Sequence, residues 1–200
     1  MCFHSQQTSD AQKLINRFKA EIKKSDEGQI KGIFNGFDHP RTPIILNSEP
    51  TLIQCVEWGL MPFWAKDRNL QDSTLNAKIE TLQEKPSFKN ILHRKCLVIV
   101  DGFFEWKWLD EKGKNKEKHL ITMPDNEPFA LAGLWSEWVD PTGETLKTYT
   151  IITTEAKGIM REIHNSKLRM PVVLKPEIEN DWLLGKTNAK LYTELNAVRV

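Results

Sequence analysis

A cysteine stands directly behind the first methionine in Met1-Cys2-Phe3-His4. If an aminopeptidase removes Met1, as a small second residue permits, Cys2 carries a free α-amine beside its thiol. Ordinary pKa values of about 8 for the amine and about 8.5 for the thiol leave each partly nucleophilic near neutrality. Together they form a 1,2-aminothiol. Its amine condenses with an aldehyde to an imine, and its thiol closes on that carbon to give a five-membered thiazolidine. An internal cysteine cannot do this, because its nitrogen is locked in a peptide bond. The same start permits two other chemistries. With Met1 removed, His4 becomes the third residue and can help wrap Cu(II) or Ni(II) in a square-planar nitrogen site. Cys2 with His164 and a carboxylate or amide is also a nucleophile set for a cysteine peptidase, whose minimal form is self-cleavage of Met1.

The remaining chain must position that group. Ser9 followed by Gln12 has capping-box spacing, and Ala11, Leu14, Ile15, Phe18 and Ile22 share one helical face, which predicts a helix over 9–23. Strand patterns cover 51–60, 96–100, 103–109, 118–123, 128–138 and 146–153, and 169–174 reads as extended. Turns come from Asp-Gly at 101–102, the lysine-rich stretch 111–118, Pro-Asp-Asn at 124–126 and Asp-Pro-Thr-Gly at 140–143. Short helices are expected at 86–93, 155–163 and 177–184. Successive strands with helices at the margins predict an α+β fold with a mainly antiparallel, curled, barrel-like sheet and flanking helices. Neither a repeat nor a linker divides the chain, so residues 1–200 read as one domain.

Composition narrows the function classes. The 200 residues are 40% hydrophobic and 28% charged, which is globular rather than disordered. A formal net charge of +1 excludes a strong overall pull toward nucleic acid or membrane, so any anion-binding surface must come from segregated charge. Residues 61–100 carry such an excess, with seven Lys/Arg against four acids. In it Trp64 offers a stacking face beside Lys66 and Arg68. Lys78 and Lys85 are further phosphate-contact candidates. Trp135, Trp138 and Trp182 are assigned to packing. The absence of a signal peptide pattern or a long apolar run predicts a cytoplasmic protein. The three cysteines argue against a disulfide framework, and Cys55 and Cys96 lie in apolar, strand-like runs as buried small hydrophobes.

Read alone, Asn76 is a turn or cap residue, Glu105 is a solvent-facing strand residue and His164 is a helix C-cap. Read in sequence, they fall into separated motifs. These are Trp58-Gly59-Leu60-Met61-Pro62-Phe63-Trp64, then Leu75-Asn76-Ala77-Lys78-Ile79-Glu80-Thr81, and Val100-Asp101-Gly102-Phe103-Phe104-Glu105-Trp106. Ile163-His164 and Arg169-Met170-Pro171-Val172 follow. With the amino-terminal cysteine, this order resembles the SRAP family, the SOS-response-associated peptidase-like proteins that crosslink to abasic sites in DNA. The resemblance runs from Cys2 to about Leu174.

It implies a curled α+β fold with a basic cleft for single-stranded DNA and Cys2 at its floor. Cys2 would capture the ring-opened aldehyde of an abasic deoxyribose as a thiazolidine, shielding the lesion as part of a DNA damage response. Carried over by residue, Asn76 would orient the terminal amine or the sugar. Glu105 would shuttle protons during imine formation, and His164 would act as acid or base toward the sugar. Such condensation needs a neutral amine and loss of water, so a nearby carboxylate and imidazole are chemically apt. An imine next to a 3′-phosphate also invites β-elimination, a lyase-type side reaction. His4 joins Trp64, Lys66, Arg68, Lys78 and Lys85 as a DNA-contact candidate. The implied protein is a monomer that needs no cofactor and no metal. A non-covalent single-strand-binding module is the alternative outside enzymology.

The chain departs from the family pattern in three places. Phe3-His4 stands where many members have Gly-Arg, and Asn-Ala-Lys replaces Asn-Ala-Arg, which loses a bidentate fork. The segment from His164 to Arg169 is lengthened, so the geometry of the turn behind His164 has to be read from the structure.

Overall fold

The computed structural model describes residues 2–186 and 192–200. Strand β1 (His4–Gln7) leads into helix α1 (Ala11–Phe18), followed by β2 (Glu21–Ile22), β3 (Gly32–Asn35), β4 (Arg41–Leu46) and β5 (Glu49–Trp58). Then come β6 (Asn76–Lys78), β7 (Lys95–Val100), β8 (Gly102–Trp108), β9 (Lys116–Thr122), β10 (Phe129–Val139) and β11 (Thr145–Glu155). Helix α2 (Met160–Ile163), β12 (Arg169–Pro171), α3 (Glu179–Leu183) and β13 (Asn196–Arg199) complete the order.

Two sheets result. The first runs β13-β9-β8-β1-β3 and is antiparallel throughout. The second runs β12-β11-β10-β7-β4-β5-β2, with β6 added beside β11. A parallel contact of Thr148 with Glu57 and Tyr149 with Trp58 joins β11 back to β5, closing a ring of five strands. Closure removes two exposed edges. The expected curled, mainly antiparallel α+β architecture is the one observed.

Alternation along the ring strands sorts their side chains into two cores. Ile44, Val56, Trp58, Cys96, Val98, Leu131, Tyr149 and Ile151 pack with Cys2 and with Phe103 and Ile121 of the first sheet. Residues of the other parity, among them Ile45, Ile53, Cys55, Leu97, Ile99 and Ile152, pack with Leu14 of α1 and with Trp182 and Leu183 of α3. Cys55 and Cys96 are therefore both buried, one in each core. Among the described residues, no helix is long and apolar enough to cross a membrane.

The helix expected over 9–23 is shorter. Its N-cap is Asp10, which accepts from Lys13 N–H at 2.8 Å, because Ser9 is taken by Asp101. It ends at Phe18, where Lys19 turns left-handed at φ 52°, and Glu21–Ile22 then pair with Leu52 and Ile53 as a strand. Segment 86–93 is a run of turns rather than a helix, and 155–163 is helical only over Met160–Ile163.

Candidate active site

Strand β1 lies between β3 and β8, so the residues just ahead of it enter the structure inside a sheet, one strand from its edge. Cys2 is fully buried. Its neighbour Phe3 accepts a hydrogen bond from Gly36 N–H at 2.7 Å and packs on Phe37 with ring centroids 4.9 Å apart. At the far end of β1, Asp101 takes hydrogen bonds from the N–H and hydroxyl of both Thr8 and Ser9. The carboxylate thus pins the strand that presents Cys2.

Asn76 reaches Cys2 from the second sheet. Its strand pairs with β11, opposite Ile151, and the indole N–H of Trp58 donates to Leu75 O at 2.9 Å just before it. Gly59, at φ 110°, turns the chain after that tryptophan where a Cβ would meet Gln71 at 2.6 Å. So held, Asn76 Nδ2 donates to the Cys2 carbonyl at 2.8 Å. The carbonyl it grips belongs to the residue whose amine and thiol are in question.

Glu105 sits in β8 opposite His119 of β9 and is only 3% exposed. Alternation between Phe104 and Trp106 suggests a solvent-facing side chain; instead α2 packs across β8 and His164 at its end covers the carboxylate. Burial pushes the Glu105 carboxyl up from 4.5 to about 7. Its charge also bears on Cys2, whose thiol is raised well above the usual range, first by burial and then by Glu105.

His164 is the C-cap residue of α2, with its N–H on Met160 O at 2.9 Å, and its ring turns into the site. Nε2 lies 3.5 Å from Glu105 Oε2, and Nδ1 accepts from Arg169 N–H at 3.0 Å. Burial, then the cationic amino terminus, Arg169 and Lys167, hold its pKa down at about 4. The lengthened segment after it is ordered. Asn165 pairs with both the N–H and the carbonyl of Trp108, at 3.0 and 2.9 Å, and clips the turn to β8. The four residues singled out from the sequence therefore meet: Asn76 on Cys2, Glu105 beside Cys2, and His164 on Glu105.

A cleft of about 380 Å³ opens over this group, lined by Phe3, His4, Glu105, Trp106, Trp108 and His164, with Lys116, Ser166 and Lys167. His4 stands edge-on to Trp106 at 4.9 Å, and its pKa is lowered by burial and by Lys118. Across the β8–β9 hairpin, Lys118 lies over Phe104 at 4.1 Å and Lys116 over Trp108 at 5.1 Å. Of the six DNA-contact candidates only His4 lines the cleft. Trp64 is 45% exposed, and Lys66, Lys78 and Lys85 are exposed elsewhere on the surface. Arg68 is bound to Glu57 and to Gln71 and lies over Trp138 at 5.6 Å. Trp106, Trp108, Lys116 and Lys167 were not singled out from the sequence. Their signal is the hairpin register, which sets Trp106 opposite Lys118 and Trp108 opposite Lys116. Among the described residues, no group of three or more His, Cys, Asp or Glu is arranged to hold a metal ion.

A closed strand ring beside a second sheet, with cysteine, amide, carboxylate and imidazole gathered where β1 begins, is a combination with known counterparts. The family model described as SOS response associated peptidase (SRAP) matches residues 1–199, and the chain belongs to that family. Among relatives, the abasic site processing protein YoqW of Bacillus subtilis is 42% identical over 140 residues, 70% of this chain and 60% of its own length. The abasic site processing protein HMCES of Gallus gallus is 29% identical over 191 residues, 78% of this chain and 55% of its own. The chain thus spans about three fifths of the length of the Bacillus relatives and 33–56% of the others. A crystal structure from Bacteroides thetaiotaomicron has a TM-score of 0.89 at 32% identity, covering 100% of this chain and 92% of that one. One from Bordetella bronchiseptica, at 22% identity and a TM-score of 0.81, covers 100% and 99% and shares the fold.

Proposed function

We propose that this protein processes abasic sites in DNA, and that it does so by covalent capture through Cys2 once Met1 has been removed. The observation that carries the reading is the chain of contacts in which Asn76 bonds Cys2, Glu105 bears on its thiol and His164 covers Glu105, with Glu105 and His164 lining one cleft. The names of the relatives point to the same lesion.

The chemistry follows from the groups present. The Cys2 amine adds to the C1′ aldehyde of the ring-opened sugar, and the carbinolamine loses water to give an imine. The Cys2 S–H then adds across the C=N bond: sulfur bonds to carbon, and its proton goes to nitrogen. One water is released overall. Glu105, raised to about 7, exchanges protons readily near neutrality and lies close enough to feel the thiol. Asn76 fixes the Cys2 carbonyl and so the direction of the amine. The cleft suits a strand with unpaired bases, since Trp106 and Trp108 offer stacking faces and Lys116 and Lys167 offer phosphate partners. A cysteine-peptidase reading fits less well, because burial keeps the Cys2 thiol protonated and a peptidase has no need of a free amine.

The test is intact mass and denaturing electrophoresis after mixing Met1-free protein with a single-stranded oligonucleotide bearing one abasic site. A denaturation-stable adduct at the summed masses less one water is expected. Equal crosslinking by Cys2→Ala would sink the proposal. Equal binding of intact and abasic strands without an adduct would support a non-covalent module instead.

A further inference from the structure

The turn behind His164 is bonded back onto the ring it follows. Leu168 N–H donates to His164 O at 2.9 Å, and Leu168 O accepts from Ala156 N–H at 2.8 Å. Leu168 itself sits at φ 51°, a left-handed conformation uncommon for a residue with a side chain. That conformation aims the next N–H, of Arg169, at His164 Nδ1, 3.0 Å away. Both ends are then anchored. The Arg169 guanidinium makes two hydrogen bonds of 2.9 Å to the Glu80 carboxylate and one of 2.8 Å to Thr153 O. Asn165 holds Trp108 in the strand that carries Glu105.

A backbone N–H can only donate. Nδ1 must therefore be the lone-pair nitrogen, and the proton of the neutral ring is on Nε2, the nitrogen that faces Glu105. Adding a second proton would place a hydrogen on Nδ1 directly against the Arg169 N–H. An imidazolium thus requires the turn to open. The charged groups acting on the ring are the Glu105 carboxylate from β8, the amino-terminal ammonium, and Arg169 and Lys167 from the turn itself.

We propose that the turn from His164 to Arg169 locks the ring in the Nε2–H tautomer, so that His164 serves the site as a hydrogen-bond donor and not as a base. Glu105 is then the group that moves protons, and Arg169, Glu80 and Asn165 are positioning residues. The consequence for catalysis rests on the proposed capture chemistry; the tautomer does not.

The experiment labels histidine with 15N and correlates ring carbon-bound protons with both ring nitrogens. The His164 signals are assigned by their loss in His164→Gln. The expected spectrum shows a pyridine-like Nδ1 and a pyrrole-like Nε2 unchanged from about pH 5.5 to 8. Arg169→Gln and Glu80→Gln keep the backbone N–H but release its anchor, and should average the two nitrogen shifts. A wild-type proton on Nδ1, an imidazolium in that range, or unchanged shifts in both variants would overturn the lock. In crosslinking, glutamine at 164 can accept from Arg169 N–H with its oxygen and donate to Glu105 with its amide. His164→Gln should therefore recover most of an about 100-fold loss in His164→Ala. Equal losses in the two would overturn the donor role. If wild-type protein forms no adduct, the capture reading fails while the spectra still decide the tautomer.

Discussion

Asp101→Ala removes the acceptor that holds the far end of β1. Its two oxygens take four hydrogen bonds, of 2.5 and 2.7 Å from Thr8 and of 2.8 and 2.9 Å from Ser9. Bonds to a charged acceptor contribute about 1.5 kcal/mol each at the low end, so the simple sum is about 6 kcal/mol. Thr8 is exposed, and water replaces part of what is lost, which halves the figure to about 3 kcal/mol. For a domain of this size that is a fall of about 6–12 °C in Tm. Asp101→Asn is the informative partner. Its amide oxygen can take the place of the atom that accepts three of the bonds, and the Ser9 hydroxyl can rotate to accept from its NH2. Only the charge is lost, at a cost of about 1 kcal/mol or about 2–4 °C. Calorimetry of the three proteins at one pH and protein concentration measures both numbers. A drop below about 3 °C for the alanine variant, or an asparagine variant as unstable as the alanine one, refutes the argument that this carboxylate seats β1.

Glu105→Gln should stabilise the protein at pH 8. The folded-state pKa of Glu105 lies above its ordinary 4.5, at about 7, so the stability it contributes is full below about pH 4.5 and is lost as pH rises to about 7. The difference corresponds to about 3 kcal/mol, and a Tm gap that is the same at pH 5 and pH 8 contradicts it. Gly133→Ala should lower Tm by about 5 °C or more, because its Cβ would lie 2.7 Å from Cys96 Sγ and 2.9 Å from Thr150 O in a packed core. Wild-type-like melting would show that the ring strands can move apart there. Cys55, pushed up to about 12 by burial, should resist alkylation in native protein and react only on unfolding, as mass spectrometry of iodoacetamide-treated samples would register. Lys116→Gln should reduce the salt slope of single-strand binding by about 0.7, and an unchanged slope removes Lys116 from the DNA path.

What the sequence made legible was local. Strand alternation and the turns at 124–126 and 140–143 located most of the ring strands to within a residue or two. Asp101-Gly102 is no hairpin turn, since Gly102 already begins β8 and β7 and β8 lie in different sheets. The 1,2-aminothiol could not be read from Cys2 alone; that expectation rested on the motifs around Asn76, Glu105 and His164. The errors are non-local. Ser9 has the residue type and spacing of an N-cap, but Asp101 claims it from across the sheet, and Asp10 caps instead. Ile22 continues a helical stripe, yet pairing with Ile53 of β5 takes it into a strand. Glu105 alternates as a surface residue would, and only the packing of α2 on β8 buries it. Likewise, the lysines of 111–118 read as a solvated tip until the hairpin register lays Lys116 and Lys118 over aromatic rings.

The place of β1 between β3 and β8 also sets an order of events during synthesis. On the proposed function Met1 is the initiator and Cys2 leaves the ribosome among the first residues, but its seat includes Phe103, Ile121 and Tyr149, and one of the strands flanking β1, β8, is made only at residues 102–108. At translation rates of about 5–20 residues per second, the amino terminus waits unfolded for about 5–20 s before that strand exists. On the proposed function, this is the interval in which an aminopeptidase can reach Met1. Once β8 closes beside β1, residue 2 is buried, and on the same reading a chain that folds first keeps its methionine and forms no adduct.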